Sequence, residues 1–195
     1  MPQHNLPLNQ LPVVDSGWTL FLDRDGVINE EVIGGYILHR DEFRFRPGAL
    51  EALRLLTGSF SRIVVVTNQR GVGKGLMTEE ELSKIHEQML QNIELEGGKI
   101  DRVYACCALD RKDVNRKPNR GMALQARQDF PEIDFTRSIM VGNMPSDMWF
   151  GRNIGAYTVY LPTREDACPD DSTVDATYKD LLSFAQALKR THHVQ

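Results

Sequence analysis

Short apolar runs that alternate with segments of helical spacing are the feature that most limits the folds open to this chain. Five runs have the length and the β-branched or aromatic content of buried strands: TLFLD (19–23), RIVVVTN (62–68), RVYACCAL (102–109), SIMVG (138–142) and AYTVYL (156–161). Helical spacing is found at 47–56, from Thr78 to residue 96, at 120–130, from Pro145 to Gly155, and in LLSFAQALKR near the C-terminus. This alternation predicts an α/β fold: a doubly wound, mainly parallel sheet of five or more strands, with helices on both faces.

Composition indicates an ordinary soluble globular chain. The 195 residues are 41% hydrophobic and 26% charged, and we expect one domain with an irregular arm at 1–17 and a frayed tail at 190–195. A net charge of −4 without a Lys/Arg-dense tract argues against nucleic-acid binding. No apolar stretch nears the roughly 20 residues that span a bilayer, and the three cysteines do not form a disulfide framework. We therefore expect a cytoplasmic protein with no membrane or nucleic-acid partner; its oligomeric state stays open.

Polar residues follow three of the apolar runs, where a parallel sheet binds its ligands. They are Asp23-Arg24-Asp25, Thr67-Asn68, and Asn143 with Asp147. Asp23 and Asp25 are two residues apart, so in an extended segment they project to the same side. Such a pair suits Mg²⁺ ligation, or a division into nucleophile and acid/base, although DRDG taken alone fits a polar turn equally well.

Two further segments carry groups that suit a phosphate. The hydroxyl of Thr67 and the amide of Asn68 can hydrogen-bond phosphoryl oxygens, and Arg116-Lys117 offers two cations. A capped turn and a solvated basic pair are the alternatives. The following RGVGKG is not a nucleotide-binding P-loop, because Lys74 is followed by Gly75 rather than by Ser or Thr.

Four motifs together resemble the haloacid dehalogenase-like phosphatases, in that family's order. They are FLDRDGVIN, VVVTNQRGVGKG, RKPNRGM and VGNMPSD, and all four lie between residues 20 and about 155. The first three look most like the branch that contains D,D-heptose 1,7-bisphosphate phosphatase and the phosphatase domain of histidinol-phosphate phosphatase. The short intervals between motifs leave no room for a cap domain, so the resemblance implies a capless enzyme whose loops, including EEVIGGYI, frame a small phosphorylated substrate.

The resemblance also implies a role for each matching residue. Asp23 would be the nucleophile, and Asp25 the general acid/base. Thr67 and Lys117 would stabilise the transferring phosphoryl group. The substrate would be held by Asn68, Gln69, Arg70 and Arg116. The Mg²⁺ ligands would be Asp23, Asp25 through its backbone carbonyl, Asn143 and Asp147. The implied reaction is Mg²⁺-dependent hydrolysis of D-glycero-D-manno-heptose 1,7-bisphosphate at the 7-position.

Three departures from the family pattern bear on this interpretation. The zinc loop that usually precedes Arg-Lys-Pro is replaced by Asp113-Val114-Asn115, so no zinc is expected and Cys106 and Cys107 are expected to be core thiols. Asn143 stands where an aspartate is common, which removes one negative charge; we expect the chain to need more Mg²⁺ than its Asn143→Asp variant. Met144 replaces a common lysine, and Arg70 or Lys74 could supply the missing charge.

Other functions remain open at this stage. Histidinol phosphate or another small phosphoester is an alternative substrate. A non-catalytic sugar-phosphate-binding protein with a weakened metal site is an alternative of another class, and a nucleic-acid-end phosphatase is a third. None of the five histidines has a partner at a metal-binding spacing, and His86 is expected to be solvated.

Overall fold

The computed structural model describes residues 10–192, and it contains six strands and six helices within that range. The strands are Thr19–Leu22 (β1), Arg62–Asn68 (β2), Arg102–Cys106 (β3), Ser138–Gly142 (β4), Tyr157–Tyr160 (β5) and Ala176–Thr177 (β6). The helices are Ala49–Leu56 (α1), Arg70–Gly73 (α2), Glu79–Leu95 (α3), Gly121–Asp129 (α4), Pro145–Ile154 (α5) and Leu181–His192 (α6).

All six strands form one parallel sheet in the order β3-β2-β1-β4-β5-β6. The predicted doubly wound sheet is therefore confirmed, with β1 at its centre between β2 and β4. Two details differ from the prediction. β3 ends at Cys106 rather than at residue 109, because its neighbour β2 ends at Asn68, which pairs with Cys106. The two-residue β6 was not predicted, since so short a segment carries no periodicity.

Alternate side chains of the central strands pack on opposite faces of the sheet. Leu20 and Leu22 of β1 join one buried cluster, with α1, α3 and α6, whereas Phe21 joins a second cluster, with α4 and α5. β2 and β4 divide their side chains in the same way. Burial on both faces explains why these strands read as continuous apolar runs in the sequence.

Local sequence signals account for most helix boundaries. α3 begins with a capping box: Thr78 Oγ1 accepts from the Glu81 backbone N–H at 3.1 Å, and the Glu81 carboxylate accepts from the Thr78 backbone N–H at 2.6 Å. α5 ends at Gly155, whose φ of 84° is left-handed. The one-turn helix α2 lies inside the glycine-rich RGVGKG segment, where the sequence predicts no helix.

The connections between strands are short. From β1 to β2 the chain forms a loop and α1, and from β2 to β3 it forms α2 and α3; neither connection holds a further folded unit. The β1–α1 loop is held to the body of the protein by four buried side chains, Val27, Ile28, Ile37 and Phe43.

The predicted terminal segments are only partly within the described range. Residues 10–17 are irregular, with Leu11 and Val14 buried against the core, while 1–9 lie outside the described residues. The expected frayed tail is helical as far as His192, and 193–195 again lie outside. None of the helices in the described part of the chain is both long and apolar enough to cross a bilayer.

Candidate active site

A cavity of about 480 Å³ opens at the carboxyl ends of β1, β2 and β4. The direction in which successive strands are added reverses between β1 and β4, and such switch points are where open parallel sheets bind ligands. The lining includes eight of the residues predicted from the sequence: Asp23, Asp25, Thr67, Asn68, Gln69, Arg70, Lys117 and Asp147. Asn143 directly follows β4 and is fully buried, so it does not form part of the wall.

Asp23 directly follows β1, and only 7% of the residue is exposed. Its Oδ1 accepts from the Arg24 backbone N–H at 2.7 Å and lies 2.8 Å from Lys117 Nζ. Burial, reinforced by the nearby carboxylate of Asp147, raises the pKa of Asp23 to about 7, and Lys117 opposes this shift. A poorly solvated carboxylate that is oriented by a lysine is well suited to nucleophilic attack.

Asp25 is surrounded by hydrogen-bond donors. Its carboxylate accepts from Arg24 Nη2 at 2.8 and 3.0 Å, from Asn29 Nδ2 at 2.9 Å and from Gln69 Nε2 at 2.7 Å. Burial alone would raise the pKa of Asp25, but the charge of Arg24 and these hydrogen bonds lower it below its ordinary value. The resting carboxylate is therefore ionised, ready to accept a proton, and its protonated form is a strong acid.

Arg24 and His86 are two members of the site for which the sequence predicted no role. Arg24 is 1% exposed, and besides gripping Asp25 it lies 3.0 Å from His86 through Nη1 and Nε2. Because arginine has only donors, His86 Nε2 accepts, and burial together with the Arg24 charge lowers the pKa of His86 to about 3. The expectation that His86 is solvated is wrong. Its position next to the apolar stripe of α3, which includes Leu82, Ile85 and Met89, was the available signal.

Thr67 and Gln69 form a second link to Asp25. Thr67, at the end of β2, is 1% exposed, and its Oγ1 accepts from Gln69 Nε2 at 2.9 Å. The same Gln69 nitrogen donates to Asp25 at 2.7 Å. Gln69 therefore fixes the hydroxyl and the carboxylate relative to each other.

Asn68 contacts the backbone of Lys117 through both ends of its amide. Asn68 Oδ1 accepts from Lys117 N–H at 3.0 Å, and its Nδ2 donates to the Lys117 carbonyl at 3.2 Å. The Lys117–Pro118 peptide bond is cis. Asn68 was predicted to bind substrate; its observed contacts instead hold the segment that presents the lysine.

Lys117 lies between two carboxylates, and its side chain is 2% exposed. Its Nζ is 2.8 Å from Asp23 Oδ1 and 2.7 Å from Asp147 Oδ1. The other oxygen of Asp147 accepts from the backbone N–H groups of Asn143 and Met144, at 3.1 and 3.0 Å. Both oxygens of Asp147 are thus engaged. The structure gives this residue contacts that hold Lys117 and the β4–α5 turn, whereas the sequence had predicted a metal ligand.

Asn143 keeps one atom without a partner. Its Nδ2 donates to Thr163 Oγ1 at 2.7 Å and to Glu31 Oε1 at 3.1 Å, while its buried Oδ1 meets no hydrogen-bond donor among residues 10–192. The amide lies over Gly26, where a Cβ would come within 2.1 Å of Nδ2. The lack of a side chain at Gly26 therefore makes room for the amide.

These oxygens fit a hard divalent cation. Mg²⁺ prefers one or two carboxylates together with other oxygen ligands, and the Asp23 carboxylate, the backbone carbonyl of Asp25 and the free Oδ1 of Asn143 supply such a set. Within the described residues, no group of three or more His, Cys, Asp or Glu side chains is arranged to hold a metal ion. A Mg²⁺ site here would therefore include the neutral amide oxygen.

Cations stand around the opening of the cavity, although not all of them are the predicted ones. Arg70, Lys74 and Arg164 line it, and Lys74 Nζ lies 5.1 Å from the centre of the Tyr36 ring. Arg116 is not among the lining residues, and its guanidinium donates to the backbone carbonyl of Leu109. The structure does not bring Arg116 to the predicted substrate site. Arg164, in the loop after β5, was missed because no motif marks it.

The cysteines stand outside this site. Cys106 is buried, Cys107 is half-buried and Cys168 is exposed, and all three are free thiols. Burial raises the pKa of both Cys106 and Cys107, which keeps these thiols protonated near neutral pH.

Curated relatives cover most of the chain. A heptose phosphatase of Mycobacterium bovis, named D-glycero-alpha-D-manno-heptose-1,7-bisphosphate 7-phosphatase, is 35% identical over 173 residues, which is 88% of this chain and 91% of the relative. The Escherichia coli K12 relative is named as the enzyme for the beta anomer; it is 34% identical over 182 residues, 88% of this chain and 93% of its own.

Solved structures agree with the fold. D,D-heptose 1,7-bisphosphate phosphatase from B. bronchiseptica, complexed with magnesium and phosphate, has a TM-score of 0.80 at 26% identity and covers 89% of this chain and 99% of its own. The enzyme of the same name from Burkholderia thailandensis has a TM-score of 0.64 at 27% identity and covers 88% and 98%. A family model described as polynucleotide kinase 3 phosphatase matches residues 22–185. The chain therefore belongs to the polynucleotide kinase 3 phosphatase family of haloacid dehalogenase-like phosphatases.

Proposed function

We propose that this chain is a Mg²⁺-dependent phosphatase that removes the 7-phosphate of D-glycero-D-manno-heptose 1,7-bisphosphate. The observation that carries the proposal is the arrangement of Asp23, Asp25 and Lys117 around one cavity, with Lys117 Nζ 2.8 Å from the Asp23 carboxylate. Relatives named for this reaction, at 34–35% identity over 88% of the chain, support the choice of substrate.

The first chemical step transfers the phosphoryl group to the protein. A carboxylate oxygen of Asp23 attacks phosphorus, the bond from phosphorus to the sugar oxygen breaks, and that oxygen takes a proton from the protonated form of Asp25, which forms when the resting carboxylate takes up a proton from solvent before this step. The low pKa of Asp25 makes this proton transfer favourable. Thr67 and Lys117 donate hydrogen bonds to the oxygens of the transferring phosphoryl group, because negative charge accumulates on these oxygens in the transition state.

The second step returns Asp23 to its starting state. Asp25, now ionised and held by Arg24 and Gln69, accepts a proton from water as the water oxygen attacks phosphorus. The bond from phosphorus to Asp23 breaks, and inorganic phosphate leaves. The same carboxyl group thus serves as acid and then as base.

Mg²⁺ would be held by Asp23, Asp25 and Asn143, and when bound it supplies positive charge against which a phosphate group is oriented. We assign Asp147 a different role from the one the sequence predicted. Its Oδ2 accepts from two backbone N–H groups and its Oδ1 forms a 2.7 Å ion pair with Lys117 Nζ, so we place it as the residue that positions Lys117 rather than as a metal ligand.

The cations at the opening favour a substrate with a second phosphate. Arg70, Lys74 and Arg164 line the cavity, and neither Arg70 nor Lys74 has an ion-pair partner among residues 10–192. They offer positive charge near Met144, where the heptose branch commonly has a lysine. A monophosphate such as histidinol phosphate would leave part of this charge unused.

Phosphate release across a Mg²⁺ titration tests the proposal. The substrates are both anomers of heptose 1,7-bisphosphate, histidinol phosphate and a 3′-phosphorylated oligonucleotide. The variants are Asp23→Asn and a matched control, Asp41→Asn, at a side chain that is 93% exposed. We expect the highest kcat/KM for one heptose bisphosphate anomer, no turnover by Asp23→Asn, and normal turnover by Asp41→Asn. Acid-quenched wild type should yield a phosphorylated peptide containing Asp23.

Each other outcome contradicts a specific part. Preference for histidinol phosphate or for the oligonucleotide would reject the substrate and keep the mechanism. Turnover by Asp23→Asn equal to that of wild type would reject the assignment of Asp23 as the nucleophile. If no phosphoester is turned over but heptose bisphosphate binds saturably, the proposed enzymatic function would be rejected in favour of a binding function.

A further inference from the structure

The contacts of Asn143 define which of its two amide atoms is available. The residue is fully buried, its Nδ2 has two acceptors, and its Oδ1 has no donor among the described residues. The acceptors come from separate parts of the chain: Glu31 from the β1–α1 loop and Thr163 from the loop after β5. Thr163 Oγ1 also donates to Glu31 Oε1 at 2.8 Å, which closes a three-membered set of hydrogen bonds.

The carboxylate of Glu31 excludes the opposite orientation of the amide. Turning the amide over would place Asn143 Oδ1 about 3 Å from Glu31 Oε1, and two acceptors at that distance repel each other. Because the hydroxyl proton of Thr163 is already directed at Glu31, it cannot stabilise the turned amide. The set therefore keeps Nδ2 on Glu31 and Thr163 and leaves Oδ1 as the free, buried oxygen.

We propose that Glu31 and Thr163 are positioning residues that fix the Asn143 amide with its oxygen toward Mg²⁺, and that Glu31 supplies beside the site the negative charge that Asn143 lacks. The proposal rests on the proposed function, because it takes Asn143 to be a ligand of the same Mg²⁺. Glu31 is well placed for this role, since its side chain is only 17% exposed and lines the cavity.

This arrangement changes what Asn143→Asp should do. An aspartate would put a second carboxylate oxygen about 3 Å from Glu31 Oε1, so the gain in ligand charge is offset by repulsion. The sequence alone led us to expect simple tightening of Mg²⁺ binding. With Glu31 opposite, tightening should require that Glu31 be neutralised as well.

Two measurements on the metal-free protein test the proposal without turnover. Titration calorimetry with Mg²⁺ compares wild type, Glu31→Gln, Thr163→Val, Asn143→Asp and Glu31→Gln/Asn143→Asp. Glu30→Gln, at the exposed neighbouring glutamate, is the matched control, and Asp23→Asn identifies the site. In a ¹⁵N-labelled sample, the Asn143 side-chain NH₂ pair, identified by its loss in Asn143→Asp, reports hydrogen exchange.

We expect Glu31→Gln to weaken Mg²⁺ binding about tenfold and Thr163→Val about threefold, from the usual strength of charged and neutral hydrogen bonds. Glu30→Gln should bind as wild type does. Asn143→Asp should change affinity by less than about threefold alone but tighten it about tenfold or more in the Glu31→Gln background. The Asn143 NH₂ protons should exchange slowly in wild type and faster in Glu31→Gln.

Equal Mg²⁺ affinity in Glu31→Gln and Glu30→Gln would overturn this inference. It would leave the proposed function intact if wild type binds Mg²⁺ and Asp23→Asn does not. Equal tightening by Asn143→Asp in both backgrounds would do the same, because it would show no coupling to Glu31. Absence of Mg²⁺ binding by wild type would overturn the inference and the proposed function together.

Discussion

Replacing Lys117 by methionine tests the balance of charge in the site. Methionine has a similar length and no charge, so it fills the space of a side chain that is 2% exposed. It leaves Asp23 and Asp147, whose oxygens lie 2.8 and 2.7 Å from Nζ, buried together without their shared cation. We expect loss of activity together with a large loss of stability.

The magnitude follows from burial and distance. At an effective dielectric constant of 20, each contact of 2.8 or 2.7 Å is worth on the order of 6 kcal/mol, and the cost of burying the ammonium offsets much of the sum. Removal of one partner from a buried ion pair costs about 3–5 kcal/mol. We expect a loss in this range in the free energy of unfolding of the metal-free protein.

The loss should grow with pH. A carboxyl group whose pKa is raised on folding binds its proton more tightly in the native state, so its contribution to stability falls as pH rises from its unfolded to its folded pKa. For Asp23 in wild type, this window runs from a pKa of 3.8, its ordinary value, to a pKa of about 7. Without Lys117, which lowers the pKa of Asp23, the window extends to higher pH, and the added loss is at most about 1.4 kcal/mol per pH unit above 7.

Urea unfolding in EDTA at about pH 6 and about pH 8 measures both quantities. Lys112→Met, at an exposed lysine, is the control and should unfold as wild type does at both pH values. A loss below about 1 kcal/mol that is equal at the two pH values would refute the reasoning, since it would mean that the two carboxylates do not depend on Lys117.

Three further predictions concern other contacts. Gln69→Leu removes a 2.7 Å hydrogen bond to the acid/base carboxylate, so kcat should fall about tenfold and the acid limb of its pH profile should move to higher pH; an unchanged profile would contradict this. Gly26→Ala should destabilise the protein by more than about 2 kcal/mol in urea unfolding, because φ is +82° and the new Cβ would lie 2.1 Å from Asn143 Nδ2. Gly58→Ala is the control: its φ is +86°, but no atom lies within 4 Å of the new Cβ, so it should cost only about 1 kcal/mol. Asp101→Asn should cost about 1–2 kcal/mol near pH 7, because hydrogen bonds outweigh burial and lower the pKa of that carboxyl. This contribution is present above the unfolded pKa, so the difference between variant and wild type should shrink as pH falls below that value and vanish once pH has fallen through the lower folded pKa.

The strands and their polar ends could be predicted because a strand that is buried on both faces has an uninterrupted run of apolar residues in the sequence. Val64 and Val66 pack on one face of the sheet and Ile63 and Val65 on the other, so the whole run is apolar and its end at Asn68 is evident. The two-residue β6 has no such record, because its pairing is decided by β5 rather than by its own side chains.

The contacts inside the site could not be predicted in the same way. A motif gives the position of a carboxylate but not which donor reaches it. The fourth motif implies a metal role for Asp147, but it does not reveal that this carboxylate lies against Lys117 and two backbone N–H groups, which only the folded turn brings together. The link from Asp25 through Arg24 to His86 likewise joins β1 to α3 across 62 positions of sequence.

The anchoring of the β1–α1 loop bears on how substrates are chosen. Its buried side chains Val27, Ile28, Ile37 and Phe43 hold the base of the loop, while the tip with Ile33 is exposed. The base of the loop is therefore fixed before any substrate arrives, and turnover should not wait for the whole loop to close as a lid. We expect kcat to be insensitive to solvent viscosity unless phosphate release is slow. Such an enzyme selects among phosphoesters by whether they fit the open cavity, rather than by whether their binding can drive a conformational change.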